Sequence, residues 1–292
     1  MPRKLVSFDW AMKKILRQKA NFEILEGFLS ELFKFDVLIQ EILESEANQE
    51  SDDDKFNRVD LLAKNEKGEL ILIEVQHNSE IDYFHRMVYG TSKLISEYME
   101  KGKGYTQVKK VYSVNIVYFH LGQGRDYIYY GKTDFKGLNN PNDILLPSQR
   151  QKDDFKIENI YEIYPEYYIL KINDFNDISK NSLDEWIYFL KNEEIKDNFK
   201  AKGLEKAKES LDLMKLDDKA KALYKRSEDN KRDKESIILT AKREGKREGL
   251  KEGEKLKELE IAKNLLDVGV AIDIISQTTN LNIDEIKSLI KT

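Results

Sequence analysis

Two short apolar segments each carry one acidic residue where a β-strand usually carries none. The first has the sequence Arg-Val-Asp-Leu-Leu, with the acid at Asp60, and the second is Leu-Ile-Glu-Val-Gln, with the acid at Glu74. Residues 65–68 between them are Asn-Glu-Lys-Gly, a turn signal that predicts a β-hairpin. Gln76 follows Glu74 by two residues and therefore points to the same face of its strand. Two carboxylates and a carboxamide are hard oxygen donors, so the hairpin is a candidate site for Mg²⁺ or Mn²⁺.

The candidate site depends on the register of the hairpin. With a three-residue loop and Gly68 in the left-handed position that forms a bulge, Asn65 pairs with Glu69. Asp60 then lies directly opposite Glu74, with the two Cβ atoms roughly 4.5–5.5 Å apart. A four-residue loop would shift the pairing by one residue and send the acids to opposite faces. A solvent-facing hairpin whose charges have no function is the other alternative. Apolar residues on both faces favour a covered strand pair, in which acids need a partner or a metal.

The order of Asp60, a short hairpin and Glu74-Val75-Gln76 resembles the D…(D/E)-x-K core of the PD-(D/E)XK nuclease superfamily. More narrowly, it is similar to the Rpn (recombination-promoting nuclease/putative transposase) family, where glutamine commonly stands at the lysine position. Further segments match that family in order over roughly residues 5 to 190. They are Phe-Asp-Trp-Ala-Met-Lys-Lys-Ile-Leu at 8–16, Leu-Glu-Gly-Phe-Leu-Ser-Glu-Leu at 25–32, the helix with Tyr83, Arg86, Tyr89 and residues 92–94, Gly-Lys-Gly-Tyr at 102–105, and the strand 111–117. No single motif is specific, and the ordered set carries the resemblance.

The resemblance implies a restriction-endonuclease-like fold and a DNA endonuclease that depends on Mg²⁺, with Mn²⁺ as a substitute. Asp60, Glu74 and the backbone carbonyl of Val75 would bind the metal, and Gln76 would position the attacking water. Asp9, matched to the N-terminal motif, would complete or orient the site, although a helix-start cap explains it equally well. Gln76 lacks the positive charge of the superfamily lysine.

A long helix is predicted over about residues 80–101, ended by Gly102. Arg86, Tyr89 and Lys93 share one face of it, which suits contacts to a DNA backbone, although an ordinary exposed face would have the same pattern. Arg86 or Lys93 is also a candidate source of the charge that Gln76 lacks. The core-facing residues are predicted to be Ile81, Phe84, Val88, Leu94, Ile95 and Tyr98.

The composition excludes several classes of site. Among 292 residues there is no cysteine, which excludes disulfides, thiolate zinc sites and cysteine nucleophiles and agrees with a reducing cytoplasm. The three histidines have no metal-ligand spacing. We expect no signal peptide and no contact with a membrane, because no apolar run approaches the ~20 residues that span a bilayer.

The order of elements predicts an α/β domain over residues 1–194, a small mixed sheet with helices on both faces, followed by an all-α tail. Its first strand is expected within 36–46, where Glu41, Glu44 or Glu46 is a candidate further metal ligand. Residues 195–257 are predicted to be a charged helical linker, and residues 258–292 a small helical module that resembles a helix-turn-helix, divided by turns at 267–269 and 279–282.

Charge is distributed unevenly along the chain. The net charge of −5 is the sum of −8 over residues 1–199, +6 over 200–257 and −3 over 258–292. The basic part is the expected source of non-specific attraction to phosphate, although a solvated helix is the commoner explanation. Within it, glycines repeat every fourth residue, and the repeat suits either close helix–helix approach or a hinge. We expect a homo-oligomer formed through the C-terminal helices.

Two rival functions remain open at this point. The chain could be a catalytically inactive DNA-binding or scaffold protein that retains the nuclease fold, or an RNase or transposase-like enzyme.

Overall fold

The computed structural model describes residues 5–43, 60–99 and 104–290. The chain divides into two compact units, residues 1–221 and 222–292. Within the described ranges, the first unit contains a six-stranded mixed sheet in the order β1-β2-β3-β4-β6-β5. The strands are β1 (Ile39–Leu43), β2 (Leu61–Asn65), β3 (Leu70–Gln76), β4 (Val111–Val117), β5 (Ile128–Gly131) and β6 (Glu166–Lys171).

Helices flank this sheet, and the elements that follow it in sequence, up to Leu289, are helices. Those of the first unit are α1 (Phe8–Lys14), α2 (Phe22–Phe33), α3 (Tyr83–Glu97), α4 (Gln149–Phe155), α5 (Ser182–Asn192) and α6 (Leu204–Ser210). A long helix, α7 (Asp218–Asp267), precedes α8 (Ile272–Thr279) and α9 (Ile283–Leu289). The predicted fold class, a small mixed sheet with flanking helices and an all-α tail, is confirmed.

The hairpin of β2 and β3 has the predicted register. The Asn65 amide donates to the Glu69 carbonyl at 3.1 Å, and the Gly68 amide donates to the Asn65 carbonyl at 2.9 Å. Gly68 has a φ of 77°, a conformation that glycine adopts at little cost. Leu61 pairs with Ile73, so the residues that precede and follow this pair, Asp60 and Glu74, come side by side.

The centre of the sheet is parallel. Strand β4 pairs in parallel with both β3 and β6, and each of its residues is buried. A strand covered on both faces favours the mostly β-branched and aromatic sequence of this segment, which only Ser113 and Asn115 interrupt. Its predicted place at the centre of the sheet is confirmed.

Helix α3 covers the face of β3 that carries Leu70 and Leu72, against which Leu94 packs. The predicted core-facing stripe is correct for Leu94, Ile95 and Tyr98 and wrong for Ile81, Phe84 and Val88, which are exposed. The residues buried in the N-terminal half are Tyr83, Met87 and Thr91.

Polar residues take these inner positions because the sheet below offers them hydrogen bonds. The Tyr83 hydroxyl donates to Asn115 Oδ1 at 3.3 Å, and the Thr91 and Tyr167 hydroxyls are 2.8 Å apart. The helix ends at Glu97, and the predicted stop at Gly102 lies outside the described residues.

The second unit contains most of α7 and the two short helices after it. The chain turns at Gly269, with a φ of 80°, and again before Asn282, as predicted. The Asn282 side chain accepts from the Glu285 amide and the Glu285 carboxylate accepts from the Asn282 amide, at 2.8 and 2.9 Å, which is a capping box. The core of this unit consists of Ala262, Ile275, Leu281 and Ile286.

None of the helices in the described ranges is both long enough and apolar enough to cross a membrane.

Candidate active site

Asp60 immediately precedes β2 and is held from two sides. Its Oδ2 accepts a 2.7 Å hydrogen bond from the Val75 amide of the neighbouring strand. Its Oδ1 is 3.1 Å from Lys13 Nζ, and its backbone carbonyl accepts from the Arg17 guanidinium at 2.9 Å. Only 15% of the Asp60 side chain is exposed. The contacts from Lys13 in the N-terminal segment and from Val75 in β3 hold its carboxylate in place.

Glu74 lies opposite Asp60 on β3 and is equally sheltered, with 16% of its side chain exposed. Its Oε2 accepts from the Arg86 guanidinium at 3.2 Å. Burial, and then the negative charge of Asp60, raise the pKa of Glu74 to about 7. The Arg86 charge opposes this shift without cancelling it. Near neutral pH the Glu74 side chain is therefore partly protonated.

Gln76 is joined to the same network through a residue that the sequence did not single out. Its Nε2 donates to Glu80 Oε1, and Glu80 in turn accepts from Arg86 at 3.0 and 3.2 Å. Arg86 therefore lies between two carboxylates, that of Glu74 and that of Glu80. One face at the end of β3 carries a continuous set of contacts from Gln76 to Glu74.

Asp9 lies in the first turn of α1 and reaches the site through Lys13. Lys13 Nζ is 2.6 Å from Asp9 Oδ1, so this ammonium bridges Asp9 and Asp60. Burial alone would lower the pKa of Lys13, but the two carboxylates raise it above its ordinary value, and Lys13 stays charged. His77 Nε2 is 3.8 Å from Asp9 Oδ2, while its ring stacks on that of Tyr118 with 4.4 Å between centroids.

The donor set fits a divalent cation bound by few protein ligands. Burial raises the pKa of Asp60 as well as that of Glu74, against the opposing charge of Lys13. Two sheltered acids that destabilise each other's charged form are the arrangement that a bound cation relieves. Within the described ranges no group of three or more acidic or histidine side chains could hold a metal. The remaining ligands would have to be backbone, carboxamide or water oxygens.

The structure separates the three predicted DNA contacts. Arg86 points at the acids, whereas Tyr89 is 53% exposed further along α3. Lys93 pairs with Glu97 at 3.7 Å, so Arg86 and not Lys93 brings positive charge to Glu74.

The candidate further ligand on the first strand is not at the site. Glu41 pairs with Lys64 at 3.0 Å near the turn end of the hairpin, away from Asp60. The expectation of Glu41 as a metal ligand is therefore wrong, because the register of β1 on β2 places Glu41 opposite Lys64, whereas Leu43 is the β1 residue paired nearest to Asp60, with Leu62. Glu44 and Glu46 lie outside the described residues.

Sequence reasoning missed Lys13, Arg17 and Glu80. The first two follow Asp9 at intervals of four residues, a spacing that aligns side chains on one side of a helix, so this signal was present. Glu80 lies in the loop between β3 and α3, where no periodicity marks it.

One of three comparisons with known proteins found a match. A sequence model of the family described as PD-(D/E)XK nuclease family transposase matches residues 6–241. A search of curated proteins and a search of solved structures each found no significant match. The matched range covers most of the 292 residues, including the hairpin, α1 and α3. The chain therefore belongs to the PD-(D/E)XK nuclease transposase family.

Proposed function

We propose that this protein is a divalent-metal-dependent DNA endonuclease that hydrolyses phosphodiester bonds and acts in recombination or in the biology of mobile elements. Its family supports a nuclease or transposase-like function on DNA, and PD-(D/E)XK nucleases generally use divalent metals. The observation that carries the proposal is the pair of half-buried acids, Asp60 and Glu74, side by side on the hairpin.

The protein groups have separable roles in this proposal. Asp60 and Glu74, with the carbonyl of Val75, would hold Mg²⁺ or Mn²⁺. When bound, such an ion polarises the scissile phosphate and lowers the pKa of a bound water. The Val75 amide fixes one oxygen of Asp60 by a 2.7 Å hydrogen bond, which sets the direction of the other. In the role that the family resemblance implies, Gln76 would hold the attacking water by a hydrogen bond.

Positive charge comes from outside the family motif. The superfamily lysine is absent at Gln76, but Lys13 and Arg86 each lie within 3.2 Å of one of the two acids. A phosphate that enters the site would lie near both cations, which would stabilise the negative charge that develops during hydrolysis. Tyr89 and Lys93 extend along α3 from Arg86, and we assign to them the contacts to the flanking DNA backbone.

Plasmid cleavage tests the proposal. The full-length protein is expected to nick supercoiled DNA with Mg²⁺ or Mn²⁺ and to stop when EDTA is added. Asp60→Asn and Glu74→Gln should each lower the rate more than about 100-fold, since loss of a ligand exceeds the 10–100-fold effect typical of outer-shell changes. Glu158→Gln, which removes only an exposed partner of Lys152, is the control. Equal rates in wild type and both site variants would contradict the proposal.

One observation favours a second candidate, a catalytically inactive DNA-binding or scaffold protein. Lys13 and Arg86 already give each acid an ion pair without a metal. That protein would bind DNA, show no binding of Mn²⁺ by calorimetry and cleave nothing. Parallel assays on RNA and for strand joining separate the RNase and transposase-like alternatives.

A further inference from the structure

The carboxamide of Gln76 has two chemically different ends, and only one of them can bind a cation. Its oxygen accepts hydrogen bonds or ligates a metal, while its NH₂ group only donates. A freely rotating carboxamide would spend part of its time with the nitrogen toward the ion site. Whatever fixes its rotation therefore decides whether Gln76 can act as an oxygen ligand.

Glu80 fixes this rotation. The Nε2 of Gln76 donates to Glu80 Oε1, and an ionised carboxylate can only accept. Within the described ranges, Gln76 Oε1 makes no hydrogen bond. The nitrogen is thus committed to Glu80, and the oxygen is left for another partner.

Glu80 is itself held in place. Both of its oxygens accept from the same Arg86 nitrogen, at 3.0 and 3.2 Å, and a second nitrogen of that guanidinium reaches Glu74 at 3.2 Å. Glu74 and Gln76 are two residues apart on β3 and share a face. The rigid fork of one arginine therefore ties the residue that orients Gln76 to one of the two acids.

We propose that Glu80 is a positioning residue that turns the oxygen of Gln76 to the metal, so that Gln76 is an oxygen ligand beside Asp60, Glu74 and the Val75 carbonyl, in place of the water-holding role that the family resemblance implies. This inference rests on the proposed function, because it assumes a divalent cation at the two acids. It assigns to Gln76 a ligand role that lysine cannot fill. It also explains how a site with only two acids reaches the oxygen-rich coordination that Mg²⁺ and Mn²⁺ require.

A double-mutant cycle in Mn²⁺ binding tests the proposal. Calorimetric titration of the full chain with MnCl₂, without DNA, should show Glu80→Ala weakening the affinity about 10-fold, as is typical of a residue that orients a ligand. In a Gln76→Glu background the same change should weaken it less than about twofold, because a carboxylate presents oxygen in either orientation. Glu97→Ala is the matched control, since Glu97 also pairs with a base on α3 and has a similarly exposed side chain, 30% against 28%.

The outcomes are distinct. The positioning role would be overturned if Glu80→Ala lowered the Mn²⁺ affinity equally in the wild type and in Gln76→Glu, or if it did not lower the affinity of the wild type. Thermal unfolding of each variant shows whether it is folded, and if Gln76→Glu does not fold, the spectroscopic measurement below decides.

A measurement without metal separates failure of this inference from failure of the proposed function. The side-chain amide resonances of Gln76, assigned by their absence in Gln76→Ala, should shift and exchange faster with solvent in Glu80→Ala. Unchanged resonances would contradict the contact itself. If the Gln76 resonances change in Glu80→Ala as expected but the wild type binds no Mn²⁺, the contact between Gln76 and Glu80 is supported. The metal site, and with it the ligand role of Gln76, would then be rejected.

Discussion

At the scale of single residues, the site is a balance of charges in a sheltered place. Asp60 and Glu74 were identifiable from the sequence because each interrupts an apolar strand with a group that is costly to bury. Lys13 and Glu80 were not assigned, because Lys13 pairs with an acid distant in sequence, Asp60, and Glu80 itself lies in a loop. Charge pairing between distant segments depends on tertiary structure, so the local sequence around each residue does not indicate it.

The first prediction concerns the pH dependence of stability in EDTA. The pKa of Glu74 is about 7 in the folded protein, above the ordinary value of 4.5. The folded state therefore binds a proton that the unfolded state has released, so this contribution is complete below pH 4.5 and is lost as pH rises through 7. Relative to Glu74→Gln, wild type should lose about 2 kcal/mol of unfolding free energy between about pH 5 and about pH 8. Urea unfolding measures it, and parallel pH profiles for the two proteins would contradict it.

The second prediction separates metal binding from catalysis. Lys13→Met should lower plasmid cleavage about 100-fold, because a preorganised positive charge beside the phosphate is lost. Affinity for Mn²⁺ should not fall, since Lys13 competes with the cation for Asp60. The neighbouring Lys14→Met is the control and should change the rate less than about twofold, because Lys14 is exposed and is not among the described contacts of either acid. A Lys13→Met enzyme as fast as the control would remove Lys13 from the mechanism.

At the scale of elements, local signals were sufficient for the hairpin and insufficient for α3. The turn at Gly68 and the alternation of the strands lie within one short segment, and they determine the register. The inner face of α3 instead follows hydrogen bonds from Tyr83 and Thr91 to β4 and β6, strands that come later in the chain. The pattern of apolar residues alone therefore could not indicate which face of α3 packs on the sheet.

The third prediction tests a close contact between elements of the first unit. A Cβ added at Gly27 of α2 would lie 2.3 Å from the Lys202 carbonyl oxygen, beside α6. Gly27→Ala should therefore destabilise the protein by roughly 1–3 kcal/mol, as overpacking does. Gly90→Ala in α3, whose added Cβ would be 3.6 Å from a Leu72 methyl group, should be neutral or stabilising by up to about 1 kcal/mol. Equal stability of the two variants in urea would contradict this packing.

At the scale of the whole molecule, the chain combines an acidic nuclease unit with a basic helical segment. The end of α7 and the cap of α9 were predicted correctly because glycine and asparagine act locally. From the sequence, the glycine repeat suited either close helix–helix approach or a hinge. In the structure α7 runs through Gly245, Gly249 and Gly253 without a break. Apart from the adjacent residues and the backbone of the same helix, no atom of the described residues lies within 4 Å of a Cβ added at any of the three. The homo-oligomer and the domain boundaries at 194 and 257 stay predictions.

The fourth prediction assigns non-specific DNA attraction to this helix. Replacing Lys242, Arg243, Lys246 and Arg247 with glutamine should weaken DNA binding and flatten its dependence on salt, because fewer counterions are released. Lys242→Arg with Lys246→Arg keeps the charge and should keep both affinity and salt slope. Fluorescence anisotropy at several salt concentrations measures this. An unchanged slope in the glutamine variant would place phosphate binding elsewhere.

The most direct test of the central claim, that the hairpin brings Asp60 and Glu74 to one shared cation, is calorimetric titration of Mn²⁺ into wild type, Asp60→Asn, Glu74→Gln and the double variant. One ion per chain should bind to wild type, and each single variant should lose nearly as much affinity as the double variant, since both acids hold the same ion. Losses that add independently, or binding that survives the double substitution, would contradict the account.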